Sequence, residues 1–168
     1  EDIPTGATGA ENFNLAFSGK NNVYTIDGNG NLRRYSCSDG VPGSSILETK
    51  DVSGDVGSGI PSICVNANGT AIYLGEDGGT VHEYAMNSDD LSSATLESSA
   101  TISEVTSGIF CIEVVGDYLF LGDDSTLHKL DISSGVGAYT HSGSVSLNTR
   151  YTGDQLINLF NPKAPDFL

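Results

Sequence analysis

The stretch YLGEDGGTVHEY (residues 73–84) reads as a strand, a turn and a second strand. Apolar residues flank a Gly-rich centre on both sides, which is typical of a β-hairpin. Similar text recurs as YTIDGNGNLRRY (residues 24–35) and as FLGDDSTLHKL (residues 120–130). A catalytic or metal-binding loop could recur in this way, but a structural unit copied three times explains the recurrence better.

The copies have a regular spacing. Aligned on Leu32, Val81 and Leu127, they lie 81 − 32 = 49 and 127 − 81 = 46 residues apart. The segment SICVNANGTAIYLG (residues 62–75) resembles IFCIEVVGDYLFLG (residues 109–122), and both predict two apolar strands around a short Gly turn.

Each unit extends on both sides of its hairpin. A weaker first copy of the apolar pair lies at residues 14–26, and polar strands are expected at residues 44–53, 93–102 and 137–146. Gly, Asn and Asp interrupt every window long enough for a helix. The sequence therefore predicts an all-β fold of about three four-stranded antiparallel units, with the apolar strands inside and a polar strand outside, as in β-propeller blades.

The text NANGTAIYLGEDGGTVHEYAMNSDDLSSATL resembles a blade of the WD40, quinoprotein and lactonase-like propeller superfamily. STLHKLDISSG (residues 125–135) is similar to the end of a quinoprotein-like blade. The resemblance covers residues 14–146 and implies the fold of the superfamily. The chain has no Trp, so it lacks the Trp-Asp dipeptide of WD40 repeats and the Trp-docking motif of quinoprotein enzymes.

The predicted organisation is an extended segment (1–13), three blades (about 14–59, 60–107 and 108–146) and a C-terminal part (147–168) with a strand at 155–160 and an irregular tail. Propellers close with about four to eight blades. Three outcomes follow: a fragment of a longer propeller, blades completed by another copy or subunit, or closure as a four-blade object. The chain starts with Glu1, so we expect upstream processing or a piece of a larger protein.

The charge restricts the partners. Seven Lys and Arg against 22 Asp and Glu give a net charge of −15, which opposes binding to nucleic acid or anionic lipid. No apolar run reaches the roughly 18 residues of a membrane helix. We expect protein partners or self-association through open blade edges, because unpaired strand edges and apolar faces tend to pair.

One turn has a calcium-like pattern. Asp27, Asn29 and Asn31 place oxygen side chains at alternate positions, as at the start of a calcium loop, but no downstream bidentate Glu follows. Because the aligned residues 76–79 and 123–125 are also turns, a hairpin turn with positive φ is the competing interpretation. Calcium is the only cofactor that the sequence suggests.

Other reactive residues occupy repeat positions. Arg33, His82 and His128 align, so we expect a half-exposed strand position and not a zinc ligand or general base. Cys37 aligns with Met86 and Ile132, which indicates an apolar core position.

Cys64 and Cys111 lie 47 residues apart, and the sequence predicts that they share one repeat position. We expect free buried thiols there, with a disulfide between the two as the alternative. The acids of the turns are expected to be solvated: Glu76, Asp77, Asp89, Asp90, Asp123 and Asp124.

The sequence favours a non-catalytic structural or protein-interaction module, as a subunit or fragment of a surface, extracellular or filamentous assembly. The sequon at Asn68 is a glycosylation candidate and favours an extracellular location, with the cytoplasm as the alternative.

One alternative function is that the chain forms part of a lactonase- or quinoprotein-like enzyme. Against this alternative, residues 59–64 and 108–111, which are expected at the central channel, include no His, Asp or Glu. The other alternative is a carbohydrate-binding propeller. Tyr24, Tyr73 and Phe120 share a repeat position that indicates core packing, whereas a sugar platform needs exposed aromatic rings.

Overall fold

The computed structural model describes residues 14–18, 21–38, 41–57 and 62–147. They form three four-stranded antiparallel sheets, and in each sheet the strands follow one another in chain order. The expected segment 1–13 and the strand at 155–160 lie outside the described residues. The prediction of an all-β fold with three four-stranded units is confirmed.

Blade 1 consists of β1 (Asn14–Ser18), β2 (Asn22–Ile26), β3 (Asn31–Ser38) and β4 (Val41–Asp51). Blade 2 consists of β5 (Ser62–Val65), β6 (Ala71–Gly75), β7 (Thr80–Asn87) and β8 (Asp90–Thr101). Blade 3 consists of β9 (Cys111–Val115), β10 (Tyr118–Gly122), β11 (Thr126–Asp131) and β12 (Thr140–Ser146). A 3-10 turn (Val136–Ala138) precedes β12.

The central hairpins have the same turn in the first two blades. The N–H of Gly30 donates to the carbonyl of Asp27 at 3.0 Å, and that of Gly79 donates to Glu76 at 3.0 Å. Both glycines have positive φ, +77° and +76°. A Cβ on Gly30 would lie 2.7 Å from the Cα of Ser53, so glycine is needed for space as well as for conformation.

The blades stack in sequence order, with the innermost strands β1, β5 and β9 side by side. One apolar core lies between blades 1 and 2 and includes Ile26, Leu32, Ile63 and Leu74. A second lies between blades 2 and 3 and includes Val81, Ile109, Leu119 and Leu130. Each blade therefore buries its apolar side chains against its neighbours, as the apolar inner strands predicted.

Polar contacts also join the blades. The Tyr24 hydroxyl donates to Asp89 at 2.8 Å, and burial together with this bond raises the pKa of Tyr24 far above its ordinary value. Between blades 2 and 3, the N–H of Val136 donates to Glu83 at 2.9 Å. These hydrogen bonds, one buried and one partly buried, favour one relative position of adjacent blades, because leaving a buried polar group unpaired costs free energy.

Candidate functional site: the two end faces

Every blade has two faces, which we define by their neighbours. The leading face is the side toward the preceding blade, and the trailing face is the side toward the following blade. Side chains alternate along a strand, so Ile72 and Leu74 of β6 pack toward blade 1 whereas Tyr73 between them packs toward blade 3. Blade 2 is covered on both faces, whereas the described residues include no blade against the leading face of blade 1 or the trailing face of blade 3.

The leading face of blade 1 is open along β1. Phe17 pairs with Val23 in the same way as Val65 pairs with Ile72, and Leu15 matches Ile63. Ile63 and Val65 are each 6% exposed against blade 1, but Leu15 is 51% and Phe17 56% exposed. Matching apolar positions are thus buried inside the stack and open at its end.

The same leading face is closed at its middle strands. Val23, Tyr35 and Cys37 form a separate buried cluster, and Ile46, which pairs with Tyr35, is 41% exposed. The apolar surface that is available for contact therefore lies at the inner strand, with a smaller part at the outer strand.

No blade of the described residues lies against the trailing face of blade 3. Phe120 and Leu127 are half-buried, whereas Tyr24 and Leu32 at the matching positions of blade 1 are fully buried. Val145 pairs with Leu127 as Ala100 pairs with Val81, and Val145 is 62% exposed.

Three groups give this trailing face a charged part. Burial raises the pKa of the Glu113 carboxyl. The Lys129 ammonium lies 3.7 Å from the centroid of the Tyr118 ring, a cation–π contact. The face is therefore mainly apolar, with Glu113 on its inner strand and Lys129 and Asp131 on β11.

The register corrects the expected alignment of the cysteines. Cys64 pairs with Tyr73, but Cys111 pairs with Gly122, whose counterpart Gly75 pairs with Ser62. Cys111 therefore matches Ser62, and Glu113 matches Cys64, so the predicted shared position is wrong. The thiols of Cys37, Cys64 and Cys111 are free, and burial raises the pKa of Cys64.

The expectation of a half-exposed position for Arg33, His82 and His128 is also wrong. All three side chains are buried, and each lies beside the acid at the start of its own hairpin turn. The distances are 2.8 Å from Arg33 to Asp27, 3.1 Å from His82 to Glu76 and 3.3 Å from His128 to Asp123. The acids of the turns are expected to be exposed to water, and this expectation is wrong for Asp123 and Asp89, which are buried.

Each of these pairs holds a turn acid against a buried side chain of the same blade. Burial opposes ionisation of Asp27, but hydrogen bonds from Asn31 and the charge of Arg33 hold its pKa below the usual value. The pKa of Asp123 is lowered in the same way. Burial alone would raise this pKa, but hydrogen bonds from Ser125 and His128 outweigh it. His82 also contacts the exposed Ser99 hydroxyl at 2.8 Å through Nδ1. In each copy an acid precedes an Arg or His by a similar number of residues, at positions 27 and 33, 76 and 82, and 123 and 128. This spacing is the signal in the sequence that could have revealed the pairs.

The calcium candidates lie together in the first turn. Oδ1 of Asp27 accepts the backbone N–H groups of Asn29 at 3.0 Å and Asn31 at 2.9 Å, and the Asn31 amide also donates to this carboxylate. An incoming calcium ion would have to displace these donors and Arg33, so calcium binding stays a prediction. In the described part of the chain, no group of three or more His, Cys, Asp or Glu side chains is arranged to hold a metal ion.

Asn68 lies exposed in the turn between β5 and β6, where a glycosyltransferase could reach it. The neighbouring Asn66 accepts the N–H of Thr70 at 2.8 Å, which fixes the turn. Glycosylation of Asn68 stays a prediction. No helix in the described residues has the length and apolarity to cross a membrane.

No family model matches the chain, and no curated protein is similar in sequence. Solved structures do match. A chain of the mitotic checkpoint complex superposes with a TM-score of 0.54 at 11% identity, covering 80% of this chain and 37% of that one. Sqt1 of Saccharomyces cerevisiae superposes with a TM-score of 0.55 at 15% identity, covering 80% of this chain and 35% of that one.

A candidate 6-phosphogluconolactonase from Bacteroides fragilis superposes with a TM-score of 0.56 at 13% identity, covering 82% of this chain and 39% of that one. The chain thus spans less than half the length of each of these structures. At such identities the likeness shows the fold alone. The three blades and these superpositions show that the chain has a β-propeller-type fold.

Proposed function

We propose that the chain is a non-catalytic protein-interaction module, which joins a larger assembly through its two end faces. The observation that carries this proposal is the contrast between β1 and β5. The same positions are closed at 6% exposure inside the stack and open at 51% and 56% at its end. Exposed apolar patches of this kind mark protein contact sites.

The described titratable groups support a non-catalytic role. Asp27 is paired with Arg33, whereas Glu76 and Asp123 each contact a histidine of their own blade, and Glu76 also accepts the backbone N–H of Gly57. A shallow hollow beside the first turn is lined by Gly28, Asn29, Gly30, Ser53, Val56 and Gly57. None of these side chains is a general acid or base, and the lining therefore offers no base to activate the Ser53 hydroxyl.

The location that we propose is outside the cell or at its surface. The exposed sequon at Asn68 and the net charge of −15 favour it. The same charge favours protein partners over nucleic acid, because phosphate binding requires Lys and Arg.

The native particle mass tests the function. A tagged full chain, in an extract of the cells that make it, is expected to sediment well above its own 17.5 kDa. Phe17→Asp should reduce the particle mass, because a carboxylate in an apolar contact is costly. The matched control is Leu96→Asp, since Leu96 is 42% exposed on a strand of the middle blade. A wild-type particle at monomer mass would contradict the proposal.

A further inference from the structure

We propose that His128 and His141 of blade 3 bind a divalent transition-metal ion such as Zn²⁺, with Nδ1 of His128 and Nε2 of His141 as the two protein ligands. The site goes beyond the proposed interaction role and does not depend on the end faces. The chain has three histidines, all of them among the described residues, and two of the three lie together at this point.

The buried ring of His128 has one engaged nitrogen and one free nitrogen. Nε2 lies 3.3 Å from Oδ2 of the Asp123 carboxylate, which is also buried. Nδ1 is buried and has no hydrogen-bond partner among the described residues. Metal-binding histidines have this arrangement, because a carboxylate that accepts the N–H of one ring nitrogen leaves the lone pair of the other nitrogen for the metal.

The matching histidine of blade 2 has a polar neighbour at both nitrogens. His82 lies 3.1 Å from Glu76 through Nε2 and 2.8 Å from the Ser99 hydroxyl through Nδ1. Ser99 is the residue that pairs with His82, and Ser144 pairs with His128 in the same way. The Ser144 hydroxyl, however, makes no hydrogen bond to Nδ1 of His128. Blade 3 therefore leaves unpaired a buried nitrogen that blade 2 satisfies, and an unpaired group of this kind costs free energy unless a ligand takes it.

A β-bulge brings His141 to the side of the sheet that carries His128. Ser142 is an extra residue in the pairing of β11 with β12, and beyond it Leu130 pairs with His141. Because side chains alternate along a strand, this one extra residue moves His141 to the face of Leu130 and His128. The sequence predicted no zinc ligand at this repeat position, because only the bulge makes the two histidines neighbours.

The two rings have the separation that a shared ion requires. Their centroids are 5.8 Å apart, with an angle of 55° between the ring planes. Zn–N bonds are about 2.0–2.1 Å long, so two imidazoles on one ion have centroids roughly 5 to 6.5 Å apart. Nε2 of His141 is buried and, within the described ranges, has no hydrogen-bond partner either. Imidazole nitrogens are ligands that Zn²⁺, Cu²⁺ and Ni²⁺ prefer.

The charges around the two rings favour a cation. The Asp123 carboxylate lies behind His128, and its pKa is held below the usual value. Beside His141, a hydrogen bond from Ser103 and the charge of the imidazole lower the pKa of Glu104. Both acids are therefore ionised at neutral pH, and a divalent ion between the rings compensates their charge. Water molecules complete its coordination, as at zinc sites with open positions.

Titration calorimetry with Zn²⁺ tests the site on the purified full chain after treatment with EDTA and dialysis. One ion per chain with a micromolar dissociation constant is expected. His141→Gln should weaken this binding by more than about tenfold, because loss of a ligand costs at least as much as loss of the carboxylate behind one. The matched control is His82→Gln, which removes the histidine without a free nitrogen and should bind Zn²⁺ as the wild type does. No binding, or equal binding by wild type and His141→Gln, overturns the proposal.

NMR of the ¹⁵N-labelled imidazoles identifies the ligand atoms in the wild-type chain, and it decides the matter should His141→Gln fail to fold by circular dichroism. Zn²⁺ should shift the resonances of Nδ1 of His128 and Nε2 of His141 and leave both nitrogens of His82 in place. Mg²⁺ should shift none of them, because it prefers oxygen ligands. Unchanged His128 and His141 resonances at saturating Zn²⁺ would refute the site and would assign any bound zinc to the acidic surface.

Discussion

Leu15 of β1 and Ile63 of β5 occupy matching positions of two blades but have opposite surroundings. Ile63 is 6% exposed in the core between blades 1 and 2, whereas Leu15 is 51% exposed at the end of the stack. The strand pairing is the same in both blades. The comparison teaches that the repeat determines which residue type stands at a position, and that the neighbouring blade determines whether it contributes to stability.

The largest expected effect comes from truncating both positions of this comparison. Ile63→Ala should lower the free energy of unfolding by about 3 kcal/mol, because it leaves a cavity in a packed core. Leu15→Ala should cost less than about 1 kcal/mol in the monomer, since its side chain is already in contact with water. Urea unfolding at low protein concentration measures both. Equal effects would contradict the difference between the inner and end positions.

The buried pairs extend the comparison to charged groups. Arg33→Gln leaves the buried Asp27 carboxylate without its cation and should cost roughly 2 kcal/mol of the free energy of unfolding. Lys50→Gln is the control, since Lys50 is half-buried on β4 and in none of the ion pairs recorded for the described residues. A loss of no more than that of the control would show that the hydrogen bonds from Asn29 and Asn31 suffice for Asp27.

The pH dependence should have opposite signs at Asp27 and Glu113. The pKa of Asp27 is lowered on folding, so its contribution is present above the unfolded pKa and is lost as the pH falls through the folded pKa. The pKa of Glu113 is raised, so its ionisation destabilises the fold as the pH rises through the unfolded and then the folded pKa. Glu113→Gln should therefore stabilise the monomer by about 0.5 kcal/mol at pH 7 and have no effect below both pKa values.

Unfolding curves of wild type and Glu113→Gln from pH 3 to pH 7 measure this difference. Asp27→Asn is the opposite case and should be destabilised most at neutral pH. A stabilising effect of Glu113→Gln that is the same at pH 3 would point to packing and not to charge.

Much of the fold was predictable because strands and turns depend on local sequence. Gly30 and Gly79 mark hairpin turns by their conformational freedom, and the alternation around Tyr73 indicates strands on both sides. Cys37, Met86 and Ile132 were predicted as one core position, and all three are buried. The candidate site was less predictable, because Leu15 and Phe17 look like any other inner-strand residues in the sequence.

The misplaced residues have a physical cause in each case. Cys64 and Cys111 looked equivalent because both lie in an apolar strand, but the register is set by pairing with Tyr73 and Gly122. Arg33 was expected at a half-exposed position because charged residues are rarely buried alone. Its partner Asp27 makes burial possible, and that pairing depends on how the turn folds back on β3.

The sequence by itself determined the repeating unit, its four strands, its turns and the charge that opposes nucleic acid. These are properties of short segments, in which hydrogen bonding and side-chain alternation act within about 46 residues. The tertiary structure alone decided the register of β9, the burial of Arg33, His82 and His128 beside their turn acids, and the exposure of Leu15 and Phe17 at the end of the stack. Those properties arise from contacts between segments, because a side chain is buried only when another part of the molecule, or another molecule, lies against it.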